Sequence, residues 1–145
     1  MVRMKKLLVL FLSVVVMASC TQYAKVQKSM DYDYKYELAK AYYMEGEYSQ
    51  ASSLLEDVLA FMKGTIYAEE SLYMLSMCYY NMKDYVTASH YFTTYYNTYP
   101  RGIYAEVARF MSARALYLDT PDPRLDQSST IRAIGEIQVF TEYYP

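Results

Sequence analysis

A chain of 145 residues, 54% hydrophobic and 21% charged, has room for one domain. Its 14 basic and 16 acidic residues give a formal net charge of −2, without the basic footprint that nucleic-acid binding demands. Two cysteines and one histidine exclude a multi-histidine metal centre and leave little material for a disulfide framework.

The first 19 residues stand apart. Arg3, Lys5 and Lys6 form a positive start, and Leu7 to Met17 is apolar except for Ser13. This pattern predicts a cleavable secretory signal peptide over 1–19, too short to cross a bilayer. Met17-Ala18-Ser19-Cys20 resembles the lipobox of bacterial lipoproteins. That resemblance implies that Cys20 becomes the acylated first residue of the mature chain. Three acyl chains would hold the protein far more firmly than the single chain that gives only marginal binding. Loss of Arg3, Lys5 and Lys6 leaves 11 basic against 16 acidic residues, a net charge of −5. No polybasic stretch faces anionic lipid, so membrane attachment is expected to rest on the lipid.

Residues 20–31 read as a polar, lipidated tether, and 32–145 as the folded unit. Helices are predicted at about 32–45, 48–62, 67–81, 84–99, 104–118 and 127–143. Gly46, Gly64, Pro100-Arg101-Gly102 and the pair Pro121 and Pro123 punctuate them, with Asp84 and Asp126 as N-caps. Strand signals are weak. Cys78 lies in an apolar helical run and is expected to be a small buried hydrophobe.

The folded unit repeats itself. Ile66-Tyr67-Ala68-Glu69 recurs 37 residues later as Ile103-Tyr104-Ala105-Glu106. The same shift carries Tyr36 to Tyr73, Leu38 to Leu75, Tyr42 to Tyr79, Tyr43 to Tyr80, Tyr48 to Tyr85 and Ala51 to Ala88. A period in the thirties means stacked supersecondary units, each too small to bury its own apolar face. Each helix pair resembles a tetratricopeptide repeat. The small residue of the second helix is Ala51, Ala88 and then Ala133, followed by the large apolar positions Leu55, Phe92 and Ile137 and then Val58, Tyr95 and Phe140. The fold class is therefore all-α: a tetratricopeptide-repeat solenoid of about three helix pairs behind the signal peptide. The third pair is stretched by a loop insertion at 120–127. The last helix carries Ile131, Ile134, Ile137, Val139 and Phe140, which a solenoid end normally covers. The expectation is an N-terminal portion of a longer protein.

No catalytic constellation is visible, and no glycine-rich phosphate loop. His90 reads as a polar-face residue. Asp119, Asp122 and Asp126 read as turn and cap residues; they lack the alternating spacing of a calcium loop. No catalytic residue, metal or cofactor is expected. The candidate site is an aromatic ladder on the first helix of each pair, which lines the concave face in tetratricopeptide arrays. It comprises Tyr36, Lys40 and Tyr43, then Tyr73, Met77 and Tyr80, then Phe110, Arg114 and Tyr117. Tyrosine combines contact area with a hydrogen-bonding tip, which suits peptide recognition, and Lys40 and Arg114 could meet a carboxylate. The competing reading is that these rings stack between repeats as core.

The lipobox is followed by Asp33-Tyr34-Lys35-Tyr36-Glu37, Gly64-Thr65 with Ala68-Glu69-Glu70, Leu125-Asp126-Gln127 and Ala133-Ile134-Gly135-Glu136-Ile137-Gln138-Val139-Phe140. Together these resemble the BamD-like lipoproteins of the β-barrel assembly machine of the Gram-negative outer membrane. The resemblance implies a non-enzymatic protein, lipid-anchored at the periplasmic face of the outer membrane. Its implied partners are the β-barrel insertase subunit, other components of that machine and unfolded outer-membrane proteins. The family normally has five repeats, two more than this chain provides. The alternative is another envelope lipoprotein on the same scaffold, coordinating cell division or peptidoglycan.

Overall fold

The computed structural model describes residues 25–144. The signal segment 1–19 and Cys20 lie outside them. Six helices of 14–16 residues follow one another: α1 (Tyr32–Glu45), α2 (Tyr48–Phe61), α3 (Ile66–Asn81), α4 (Tyr85–Thr98), α5 (Ala105–Leu118) and α6 (Ser128–Tyr143). The predicted ranges agree to within one residue at each end.

The helix ends follow local chemistry. Asp31 and Asp84 cap α1 and α4 by accepting from the amides of Tyr34 and Thr87, at 3.0 and 3.2 Å. Gly46 closes α1 in the left-handed region at φ 84°, where glycine pays no steric cost. Lys83 stands 37 residues later and adopts the same conformation, φ 64°. The amides of Lys83 and Asp84 then bond to Tyr80 and Tyr79, as those of Gly46 and Glu47 bond to Tyr43 and Tyr42. The turn geometry repeats even where the residue does not.

Each helix packs on the next in chain order, and α1 also touches α3. This is the nearest-neighbour pattern of a helical solenoid. Ala51 and Ala88 are fully buried and Ala133 nearly so, which lets the two helices of each pair cross closely. Two apolar clusters fill the stack. One gathers Val26, Tyr36, Leu54, Leu55, Val58 and Leu75; the next is built on Phe92, Tyr95, Ala108 and Met111. Cys78 is buried in the first, and burial raises its thiol pKa to about 12.

Residues 25–27 are helical and are more than a polar tether. Val26 is buried in the first cluster. The Lys35 ammonium, itself only 3% exposed, donates to the Gln27 carbonyl at 2.9 Å and pairs with Asp57 at 2.6 Å. A buried ammonium persists only when paired and hydrogen-bonded. The packed structure therefore includes residues at least six positions before α1, because an apolar side chain and a buried cation hold that stretch down.

Candidate functional site

The aromatic ladder does not lie on one open face. Its first rung, Tyr36, is only 3% exposed. The ring meets Tyr67 at 4.7 Å and the hydroxyl donates to Glu70 at 2.5 Å. Burial, with Glu70 next to the hydroxyl, pushes the Tyr36 pKa up to about 12. Lys40 is likewise engaged: its ammonium lies 2.9 Å from the other Glu70 oxygen. The hydrogen bond from Lys40 lowers the Glu70 pKa and raises that of Lys40. The expectation that Tyr36 and Lys40 line an open groove is corrected here. Both serve to lock α1 onto α3.

The middle rungs are half-buried. Tyr73 stacks on Tyr104 at 4.1 Å and meets Phe92 and Tyr95 edge-on. Tyr43 meets Tyr48 edge-on, and Tyr80 meets Tyr85 in the same way one repeat later. Burial raises the Tyr43 pKa to about 12 and also raises that of Tyr73. Met77 packs against the second cluster. These rings pack inside the stack, Tyr43 and Tyr80 within their own helix pairs and Tyr73 both within its pair and across to the next repeat at Tyr104, which is close to the competing reading of the sequence.

Two glutamates missed by the sequence reading do the sealing. Glu70 holds Tyr36 and Lys40. Glu69 accepts from the Tyr95 hydroxyl at 2.6 Å and from the Ile103 amide at 3.1 Å. The Tyr95 hydroxyl in turn accepts from the Tyr104 amide at 3.2 Å. A Cβ on Gly102 would run into the Glu69 carboxylate and the Tyr95 hydroxyl, so a larger residue here would push apart the groups that seal this turn against α3. The recurrence of Glu69 as Glu106 hinted at a shared role, but Glu106 is exposed.

The last rung is different. Phe110 is 45% and Tyr117 61% exposed, and Arg114 is exposed between them. With Ile137, Phe140 and Thr141 of α6 they line an open pocket of about 470 Å³. A second pocket, about 360 Å³, lies beyond Tyr117 and Ile137 and reaches Pro121 and Ile134. Phe110 meets Phe140 at 5.7 Å, and the Arg114 guanidinium lies 5.8 Å from the Tyr80 ring centre. Among the described residues no carboxylate lies within 4 Å of Arg114. The structure thus brings Phe110, Arg114 and Tyr117 together at one apolar groove and leaves the first two rungs inside the stack. It adds Ile137 and Phe140, which the repeat pattern places at interior positions. Leu55 and Phe92 are fully buried there, whereas Ile137 stays 43% exposed.

Among the described residues no group of His, Cys, Asp and Glu could hold a metal ion, and no helix is long and apolar enough to cross a membrane.

The family profile described as "YfiO: Outer membrane lipoprotein" matches residues 28–145, so the chain belongs to that outer membrane lipoprotein family. No curated protein matches the chain.

Proposed function

We propose that this member of the outer membrane lipoprotein family is a non-catalytic repeat scaffold of the β-barrel assembly machinery. It is anchored by acyl chains on Cys20 at the periplasmic face of the outer membrane. It binds unfolded outer-membrane proteins and docks the β-barrel insertase and its companion subunits. Family membership supports the envelope lipoprotein scaffold. The observation that carries the binding role is the α5–α6 groove. It offers aromatic and aliphatic walls, an exposed Arg114 without a carboxylate neighbour, and a volume suited to one large side chain. An extended segment ending in an aromatic residue would lay its ring against the wall that Phe110 and Phe140 form together and its carboxylate at Arg114.

The groove also moves the expected site. The sequence spread the site over all three rungs with the second-repeat Tyr80 as its central anchor; the burial of Tyr36 and pairing of Lys40 shift it to the third. Truncation of one central anchor should dominate the loss of affinity. Tyr117→Ala should weaken binding of a phenylalanine-ending outer-membrane-protein peptide by about 1–2 kcal/mol, roughly 5–30-fold. Tyr36→Phe should bind as the parent does. Fluorescence anisotropy reads both. Parent-like binding by Tyr117→Ala removes the groove from the function.

A further inference from the structure

The seam between α5 and α6 has two flanks, and they are built differently. Side chains three, four and seven residues apart share a face of a helix. On α6, Glu136 and Tyr143 therefore stand on one flank, and Ile137 and Thr141 on the other, with Ala133 and Phe140 between them. The Ile137 flank is a wall of the open groove. On the other flank the Arg109 guanidinium lies over two rings, 4.3 Å from the centre of Tyr96 and 4.7 Å from that of Tyr143. The Tyr96 hydroxyl donates to Glu136 at 3.3 Å. Three helices meet there: α4 brings Tyr96, α5 brings Arg109, and α6 brings Glu136 and Tyr143.

Helix α6 needs such a tie. Ala133 is its only buried residue, and α5 is the helix it packs on. Ser129 holds its first turn by donating to Asp119 at 3.0 Å. Its second half is tied by Phe140 against Phe110 on the groove side and by the Arg109 cluster on the other. The cluster reaches into the closed part of the stack, because Tyr96 is 7% exposed and belongs to the second apolar cluster. Tyr143, at the outer end, is exposed. Among the described residues no carboxylate lies within 4 Å of Arg109, so ring faces and not an ion pair hold its charge. That favours arginine specifically. A guanidinium is flat and weakly hydrated and stacks on aromatic faces, whereas an ammonium is a compact, strongly hydrated point charge.

We propose that Arg109, held by Tyr96 and Tyr143, is the positioning residue of the α5–α6 groove, fixing the α6 wall where an aromatic-ending peptide can enter. The proposal rests on the peptide-binding reading given above. Arg109, Tyr96, Glu136 and Tyr143 do not line the groove, so their effect on a ligand runs through the placement of α6. With the brace in place, Ile137 and Phe140 stand at a set distance from Phe110 and Tyr117 before the ligand arrives. Without it α6 rolls on Ala133, and the ligand must order the wall as it binds, which lowers affinity.

The test uses the full lipidated chain in detergent and reads two quantities. Spin labels on His90→Cys in α4 and Gln138→Cys in α6, both exposed positions, report the distance from α6 to the stack. The native Cys78 is buried and does not compete. Fluorescence anisotropy reports binding of a phenylalanine-ending peptide. Arg109→Lys, which keeps the charge, and Tyr143→Leu, which removes the ring, should each broaden the distance distribution. Each should also weaken the peptide roughly 3–10-fold, the range of one or two cation–π contacts. Tyr143→Phe keeps a ring face and should match the parent in both. Helical circular dichroism should be the same for all four chains. A parent-like distance in Arg109→Lys and Tyr143→Leu, or a broadened distance with parent-like affinity, overturns the positioning role and leaves the peptide reading standing. Loss in Tyr143→Phe equal to that in Tyr143→Leu overturns the ring-face grip. Absence of peptide binding by the parent itself overturns the peptide reading and the positioning role with it.

Discussion

The first two helix pairs and the third are built from one repeat pattern, yet they bury it differently. In α1–α4 the large apolar positions Leu55, Val58, Phe92 and Tyr95 are fully buried. In α6 the matching Ile137 is 43% exposed, and Ala133 is the only residue of that helix classed as buried. The same spacing thus gives core in one place and an open wall in the other. A repeat position is internal only when a further element covers it, because each unit cannot bury its own face. The aromatic ladder shows the same gradient, from the buried Tyr36 through the stacked Tyr73 to the open Phe110 and Tyr117.

Alkaline titration should show the contrast most strongly. Burial raises the pKa of Tyr36 and Tyr43 to about 12, and that of Tyr79 and Tyr95 rises as well. A group whose folded pKa lies above its unfolded value stabilises the fold below the unfolded pKa. That stabilisation is lost as pH rises through the folded one. For these tyrosines the loss runs from the ordinary value of 10.0 to about 12. Cooperative unfolding of α1–α4 is expected in that window, with delayed tyrosinate absorbance at 295 nm. A gradual, non-cooperative absorbance rise centred near 10 contradicts the sealed stack.

A second contrast is steric. Ala88→Leu overpacks a closed crossing and should destabilise by about 1–3 kcal/mol. Ala133→Leu faces the open α6 groove, bounded by Tyr117 and Ile134, and should cost less. Urea unfolding of the two variants compares them directly. Equal losses would show that the third pair is as closed as the second.

The smallest effect is expected at the rung lock. The Glu70 pKa is lowered, chiefly by the Lys40 hydrogen bond and then by Tyr36. Its contribution is present above the ordinary value of 4.5 and is lost as pH falls through the lowered one. Lys40 and Glu70 are both more than a third exposed, so water screens the pair and its worth is about 0–1 kcal/mol. Glu70→Gln should shift the melting temperature slightly at neutral pH and converge with the parent below the lowered pKa. An identical difference at both pH values would remove the charge from the account.

Helix positions, repeat register and close crossings were legible in the sequence because they depend on neighbours along the chain. The period of 37 aligned Ala51 with Ala88, and both prove fully buried. Asp84 and Gly46 marked helix ends through their own backbone chemistry. Tertiary structure alone decided which ladder residues face water. Tyr36 and Phe110 hold the same repeat position, but Glu70 and Tyr67 close over one while α6 leaves the other open. Side-chain type fixes what a residue can do. Its exposure is set by what packs against it, and that partner lies elsewhere in the chain.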